Sequence, residues 1–178
     1  MSPAHIALGA NLLSSAGPPE ATLAAAAERL AALGRITARS SLYSTAPVGF
    51  ADQPRFANAV VALETQRSPR DLLDDLLSIE LEFGRDRAAS PPNGPRTLDL
   101  DILFYGDLVL SEYGVEIPHP RLAERAFVLV PLHEIAADLR DPRSGETVVQ
   151  LLQALTGHTE PDAVAKIECG VWTDTTVR

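Results

Sequence analysis

Gly94-Pro95-Arg96-Thr97-Leu98-Asp99-Leu100-Asp101-Ile102-Leu103-Phe104 reads as a central β-strand entered from an arginine-bearing loop. Side chains on a strand alternate, so Asp99 and Asp101 share one face while Leu98, Leu100 and Ile102 share the other. Two carboxylates at this i, i+2 spacing, roughly 7 Å apart, repel each other unless a cation lies between or beside them. Hard oxygen ligands of this kind suit Mg²⁺. Arg96, and upstream Arg85 and Arg87 in Gly84-Arg85-Asp86-Arg87, supply planar donors that match phosphate oxygens. The competing reading, an exposed edge strand with two solvated aspartates, is the default for a lone Asp-x-Asp. The apolar run around these two favours a metal site beside a phosphate.

Working outward, His5-Ile6-Ala7-Leu8-Gly9 is a short buried strand stopped by Gly9 and Asn11. Pro18-Pro19-Glu20 opens a helix with Leu23, Leu30 and Leu33 along one stripe and Gly34 as its C-terminal stop. Arg35 to Tyr43 is a second strand, Ser44 to Pro54 a turn-rich loop, and Phe56 to Glu64 a third strand. Ser68-Pro69-Arg70-Asp71 combines an N-cap serine, a proline at the first helical position and an acid three residues after the cap, so a helix starts there. Leu72, Leu76, Ile79 and Phe83 form its buried stripe, Gly84 ends it, and Glu80 sits at the stripe's border as either an arginine partner or a ligand-facing acid. A loop over Ala88 to Pro95 leads into the aspartate strand. Beyond it come a small hairpin around Leu108-Val109-Leu110 and Val115-Glu116-Ile117, helices over Phe127 to Ala137 and Val148 to Leu155, and a strand over Val164 to Ile167.

Strand, helix, strand, strand, helix, strand is the order of a ferredoxin-like βαββαβ sheet. With the last two helices on the second face, the expected class is α+β, three layers α-β-α, with a small appended hairpin. The expected organisation is a single domain over 1–160 and a C-terminal extension over 161–178 that frays at its end. The 178 residues, 46% hydrophobic, are ample for one core. A net charge of −9 opposes nucleic-acid and anionic-membrane partners, which need a basic footprint. The single cysteine, Cys169, excludes an internal disulfide and a cysteine metal set. The N-terminus lacks the basic region of a signal peptide, so a cytoplasmic protein is expected, and a monomer.

Several strings fall in the order of one family: Leu8-Gly9-Ala10-Asn11-Leu12, Tyr43-Ser44-Thr45-Ala46-Pro47-Val48-Gly49, Asp52-Gln53-Pro54-Arg55-Phe56-Ala57-Asn58-Ala59, Glu80-Leu81-Glu82-Phe83-Gly84-Arg85, Gly94 to Asp101, and Ile117-Pro118-His119-Pro120. Together they resemble the 6-hydroxymethyl-7,8-dihydropterin pyrophosphokinases of folate synthesis, over nearly the whole chain up to about Leu155. The resemblance implies transfer of the β,γ-diphosphate of ATP to the hydroxymethyl oxygen of the pterin, releasing AMP, with two Mg²⁺ held by Asp99 and Asp101. It implies catalytic roles for Arg85 and Arg96, and a nucleotide site lined by Glu80, Arg87, Ile102, His119 and Arg125. It implies that Thr45, Val48 and Asn58 bond the pterin edge while Phe56 and Phe127 stack on its faces. From the residues alone, Phe56 and Phe127 read equally as core aromatics and His119 as a turn residue.

The chain departs from the pattern in places. Asn93 stands where many relatives carry a tryptophan before Gly-Pro-Arg, implying weaker closure of that loop. Gly114 and Glu116 replace an arginine and a threonine near ATP, and Leu77 a polar residue of the second helix. Two other classes compete. A non-catalytic ferredoxin-like module would consume no ATP, and another Asp-x-Asp transferase would lack the pterin-edge motifs.

Overall fold

The structure, a computed structural model, describes residues 1–49, 52–88, 93–112, 114–156, 164–173 and 175–176. Its elements are β1 (Ser2–Ala10), α1 (Pro19–Ala31), β2 (Gly34–Arg39), β3 (Leu42–Thr45), β4 (Phe56–Thr65), α2 (Pro69–Glu82) and β5 (Asp99–Tyr105). A hairpin of β6 (Leu110–Glu112) and β7 (Val115–Ile117) follows, then a 3₁₀ turn (Leu122–Glu124), α3 (Ala126–Ala136), α4 (Val148–Thr156), β8 (Val164–Ile167) and β9 (Thr175–Thr176).

The result is a mixed fold in which four helices cover an antiparallel sheet. Seven strands run in the order β5-β1-β4-β2-β9, with β3 beside β4 and β8 beside β3. Strand β1 pairs with both β4 and β5, and β5, expected from its apolar run to be central, is instead an edge strand of the sheet; its apolar residues are buried by the helices on the two faces rather than by a second neighbouring strand. The alternation of side chains creates two cores. On one face Ile6, Leu8 and Leu100 pack against Leu23 and Leu30 of α1 and Leu72 and Leu76 of α2. On the other, Val60, Leu103 and Phe104 pack against Leu129 and Leu132 of α3 and Val148 and Leu151 of α4. Each fully buried leucine among these contributes about 1.5–3 kcal/mol of transfer free energy. Among the described residues no helix is long and apolar enough to cross a membrane.

Helix α2 begins as its sequence dictates: the Ser68 hydroxyl accepts from the Asp71 amide at 3.1 Å, with Pro69 at the first helical position. Three further expectations change. Helix α1 ends at Ala31, so Gly34 is not its stop. Gly34 instead opens β2, where a Cβ would lie 2.2 Å from the Glu64 carbonyl oxygen, and only glycine tolerates that approach. The strand expected over Arg35 to Tyr43 is broken in two at Ser40–Ser41, because Ser40 takes over part of the ladder: its amide donates to the Val60 carbonyl and its hydroxyl accepts from the Val60 amide, both at 2.9 Å. The resumed strand then runs through Ser44 and Thr45, which the turn-forming residue types alone place in a loop. Of the loop read over 88–95, residues 89–92 lie outside the described residues, as do 157–163 around the expected domain boundary. Farther on, β8 pairs with β3 and β9 with β2, while the Trp172 indole N–H donates to the Ser40 carbonyl at 2.8 Å.

His5 on β1 is 8% exposed, edge-on to Phe104 with ring centroids 6.3 Å apart, and its Nδ1 is buried without a partner. Burial lowers its pKa from 6.5 to about 4. The unfolded chain therefore takes up the proton first, so this contribution to stability is complete above pH 6.5 and is lost as pH falls toward 4. His5→Leu is expected to remove on the order of 3 kcal/mol of the acid-side loss, read as urea unfolding free energy against pH. A variant profile parallel to that of the parent contradicts this.

Candidate active site

From Leu98 to Ile102 the alternation holds: Leu98, Leu100 and Ile102 enter the α1/α2 core, while Asp99 and Asp101 line a groove on the opposite face with Arg96, Arg125 and Phe127; opposite His5 and Ile6 the register shifts, and Leu103 and Phe104 both enter the α3/α4 core. Cations flank each carboxylate. Arg96 Nε lies 3.0 Å and Arg85 Nη2 3.6 Å from Asp99, and Arg125 Nη1 lies 3.4 Å from Asp101 Oδ2. Burial and then the Asp99 charge still push the Asp101 carboxyl above its ordinary pKa, with Arg125, Arg96 and Arg87 pulling it back. His119 Nε2 is 3.8 Å from Asp101. Its Nδ1 accepts from the Arg121 amide at 3.1 Å, which assigns the ring proton to Nε2. Burial, followed by Arg125, lowers the His119 pKa to about 4, so this imidazole is neutral at pH 7.

Arg85 is delivered by the way α2 ends. The Gly84 amide donates to the Leu81 carbonyl and the Arg85 amide to the Glu80 carbonyl, with Gly84 at φ 82°, a Schellman closure that turns the chain back toward β5. The Arg85 side chain is 10% exposed, and its Nε and Nη1 are buried without hydrogen-bond partners beside Asp99. Donors left in that state suit an incoming anion. Glu80, 1% exposed, accepts from the Leu100 amide at 2.8 Å and from Arg87. It thus satisfies a backbone group on an edge strand. Burial raises its pKa, and the Leu100 amide and Arg87 oppose that rise.

A cavity adjoins the aspartate groove and shares Asn58, Arg96, Arg125 and Phe127 with it. Phe56 and Phe127 both line it, as do Thr45 and the exposed Val48. Phe56 belongs to neither apolar cluster although it is buried, and Arg96 lies over its ring at 4.8 Å. Phe127 packs against the α3/α4 core and also carries Arg125 over its ring at 5.6 Å. Thr45 and Asn58, both buried, are joined by a hydrogen bond of 2.6 Å from Asn58 Nδ2 to Thr45 Oγ1. On the far side of Asp101 a second groove is lined by Ile102, Gly114, Glu116 and His119. Asp101 is where the two grooves meet.

The structure therefore gathers Thr45, Val48, Phe56, Asn58, Arg96, Asp99, Asp101, Ile102, His119, Arg125 and Phe127 along one continuous surface, with Arg85 against Asp99. Glu80 and Arg87 stand behind it, paired with each other. Asn11, from its sequence context only the end of a strand, has a wider role. Its side chain in fact donates to Gln53 and to the Pro54 carbonyl, both at 2.9 Å, and accepts from the Arg96 amide at 2.8 Å, so one amide joins three loops. Gly9 is more than a strand stop as well. A Cβ there would lie 2.9 Å from Asn58 Oδ1.

Residues 5–137 match the model of the family described as 7,8-dihydro-6-hydroxymethylpterin-pyrophosphokinase (HPPK). The chain is similar to the 2-amino-4-hydroxy-6-hydroxymethyldihydropteridine pyrophosphokinase of Pseudomonas aeruginosa, at 49% identity over 152 residues, covering 84% of this chain and 90% of that protein. It is also similar to the protein of the same name from Methylorubrum extorquens, at 42% identity over 170 residues, covering 94% and 100%. A crystal structure of Plasmodium falciparum HPPK-DHPS wild type with STZ-DHP shares the fold, with a TM-score of 0.67 at 16% sequence identity over 88% of this chain. This chain spans 43% of that one's length.

The Gly9 contact is with the far end of a side chain, so an added methyl group is relieved by turning the Asn58 amide rather than by moving a strand. Gly9→Ala is accordingly expected to weaken hydroxymethyldihydropterin binding about tenfold, the order of one misdirected hydrogen bond, with little change in unfolding midpoint. Calorimetric titration with hydroxymethyldihydropterin beside urea unfolding reads both. Unchanged affinity contradicts the role given to Gly9.

Proposed function

The chain belongs to the 7,8-dihydro-6-hydroxymethylpterin-pyrophosphokinase family, and from that premise we propose how its residues divide the work. The activity is transfer of diphosphate from ATP to 6-hydroxymethyl-7,8-dihydropterin in folate biosynthesis. The bond formed joins the pterin hydroxymethyl oxygen to the β-phosphorus, the bond broken is the α,β-bridge, and AMP leaves. Phe56 and Phe127 take the pterin ring between them, and Thr45, Asn58 and Val48 orient its edge. Ile102, His119 and Arg125 face the nucleotide, with Glu80 and Arg87 supporting that side. One observation carries this division: Asp101 lies where the aromatic cavity's groove and the His119 groove meet, so ligands in the two are presented to each other at the carboxylate pair.

Asp99 and Asp101 are proposed to hold two Mg²⁺. The donor set fits, since this ion binds through one or two carboxylates plus substrate phosphates and keeps several waters. Among the described residues no group of three or more His, Cys, Asp or Glu forms a metal cage, and an ion shared with phosphate needs none. Such ions neutralise charge on the transferring phosphoryl oxygens and on the leaving group. Arg96 and Arg85 bring preorganised guanidinium donors to the same charge, Arg96 from the loop that Asn11 anchors and Arg85 from the closure of α2. A neutral His119 binds without adding charge.

The ferredoxin-like reading of the core is supported by the order β5-β1-β4-β2 among the strands that frame α1 and α2. A single domain over 1–160 with an extension over 161–178, acting as a cytoplasmic monomer without nucleic-acid or membrane partners, completes the proposal. The net charge of −9 opposes both kinds of anionic surface.

Asp99→Asn and Asp101→Asn are each expected to abolish most Mg²⁺-dependent AMP release in single-turnover assays. Near-normal rates in both variants refute the metal assignment. Arg96→Ala is expected to lower kcat about a hundredfold to a thousandfold, the usual cost of one preorganised donor, while the dissociation constants of ATP and pterin change much less. Lysine should restore only part of the rate, because a point charge lacks the fork. An intact chemical step with collapsed ATP affinity would instead make Arg96 a ground-state nucleotide clamp.

A further inference from the structure

Glu134 lies outside the site described above, yet its carboxylate takes four donors. Its Oε2 accepts from the Ser41 amide and from the Tyr43 hydroxyl, both at 2.9 Å. Its Oε1 accepts from the Ser41 hydroxyl at 2.7 Å and from Lys166 Nζ at 3.5 Å. The donors come from β3 with the residue just before it, and from β8, the strand paired along the other side of β3. The carboxylate grips the chain at the break between β2 and β3.

Both partners lead straight to the aromatic cavity. Two residues beyond Tyr43, β3 delivers Thr45, bonded to Asn58 at the cavity wall, and then Val48. On the other side, Phe127 precedes Glu134 by seven residues on α3, two helical turns, which places both side chains on one face of that helix. One face of α3 thus presents the stacking ring to the cavity and the carboxylate to the strand that forms the opposite wall.

We propose that Glu134 is a positioning residue that sets the width of the pterin slot by holding β3 against α3. The inference rests on reading that slot as the pterin site. The second aromatic face, Phe56, stands on β4 paired with Thr45 of β3, so a shift of β3 against α3 is passed to the gap between the rings, and stacking weakens as soon as contact is lost. Four donors on one carboxylate fix the separation of the walls more tightly than apolar packing between α3 and β3 alone. The ionised form is the one held: burial pushes Glu134 up, but the hydrogen bonds from Ser41 and Tyr43 and the charge of Lys166 outweigh it and keep the carboxyl below its ordinary pKa.

The test is Glu134→Gln, which keeps shape but offers one acceptor oxygen to four donors. The dissociation constant of 6-hydroxymethyl-7,8-dihydropterin, measured calorimetrically with a non-hydrolysable ATP analogue at saturation, is expected to rise about tenfold. The affinity for the analogue and kcat at saturating pterin should stay within about twofold, a split that a general loosening of the fold would not produce. Tyr43→Phe, which removes one of the bonds, should shift pterin affinity in the same direction by less, and it serves if Glu134→Gln fails to fold. Equal losses for both ligands, or a lower unfolding midpoint with both affinities intact, overturn the proposal. Phe127→Ala separates the two readings. If it weakens pterin binding while Glu134→Gln does not, the positioning role fails alone. If neither variant weakens it, the assignment of the slot fails.

Discussion

Two like charges on one face of one strand are the constraint around which the rest of the structure is arranged. At roughly 7 Å and an effective dielectric constant of about 20, Asp99 and Asp101 repel each other by about 2 kcal/mol. That is a cost the fold can carry only with compensating cations. Those cations are drawn from three separate places: Arg85 from the end of α2, Arg96 from the loop before β5, and Arg125 from the start of α3. The compensation is incomplete, since Asp101 remains above its ordinary pKa. The arginines that relieve the carboxylates also lie over Phe56 and Phe127, so electrostatic relief and aromatic cavity are built from the same side chains.

This arrangement needs a stiff platform, and β1 provides it by pairing with β5 on one side and β4 on the other. The register places Gly9 against Asn58 on one strand and against Asp99 on the other. A residue without a side chain therefore sits between the Asn58 amide and the first carboxylate. The loops are tied to the same platform through Asn11, and Gln53 in turn donates to the Asn93 carbonyl at 2.9 Å. Asn93 takes φ 58°, a left-handed conformation that asparagine tolerates better than most residues, so its place before Gly-Pro-Arg has a backbone rationale of its own.

What was legible in the sequence was local. The alternation from Leu98 to Ile102, the Ser68 cap, the stripe of α2 and the turn at Gly84 each depend on residues within a few positions of one another, and each is found in the structure. The residues gathered at the grooves were legible through motifs that resemble a known family. The rest depends on contacts between distant segments. Glu80 looked like an acid at the border of a helical stripe because nothing nearby shows that a strand's Leu100 amide would need it. The break at Ser40–Ser41 follows from hydroxyl and amide bonds to β4, Gly34 from the approach of Glu64, and the hold on Glu134 from donors 91 and 93 residues away. None of these leaves a periodicity to read.

Arginines already neutralise much of the charge of the carboxylate pair, so the metal site proposed there is completed only by substrate phosphate. The most direct measurement is a spin-resonance titration of Mn²⁺, as a substitute for Mg²⁺, into the protein with and without a non-hydrolysable ATP analogue. The account predicts weak binding to the protein alone and tight uptake of two ions per chain once the analogue is present, as a shared metal–phosphate site requires. Equally tight binding without the nucleotide, or no uptake beyond that of the free analogue, would contradict it.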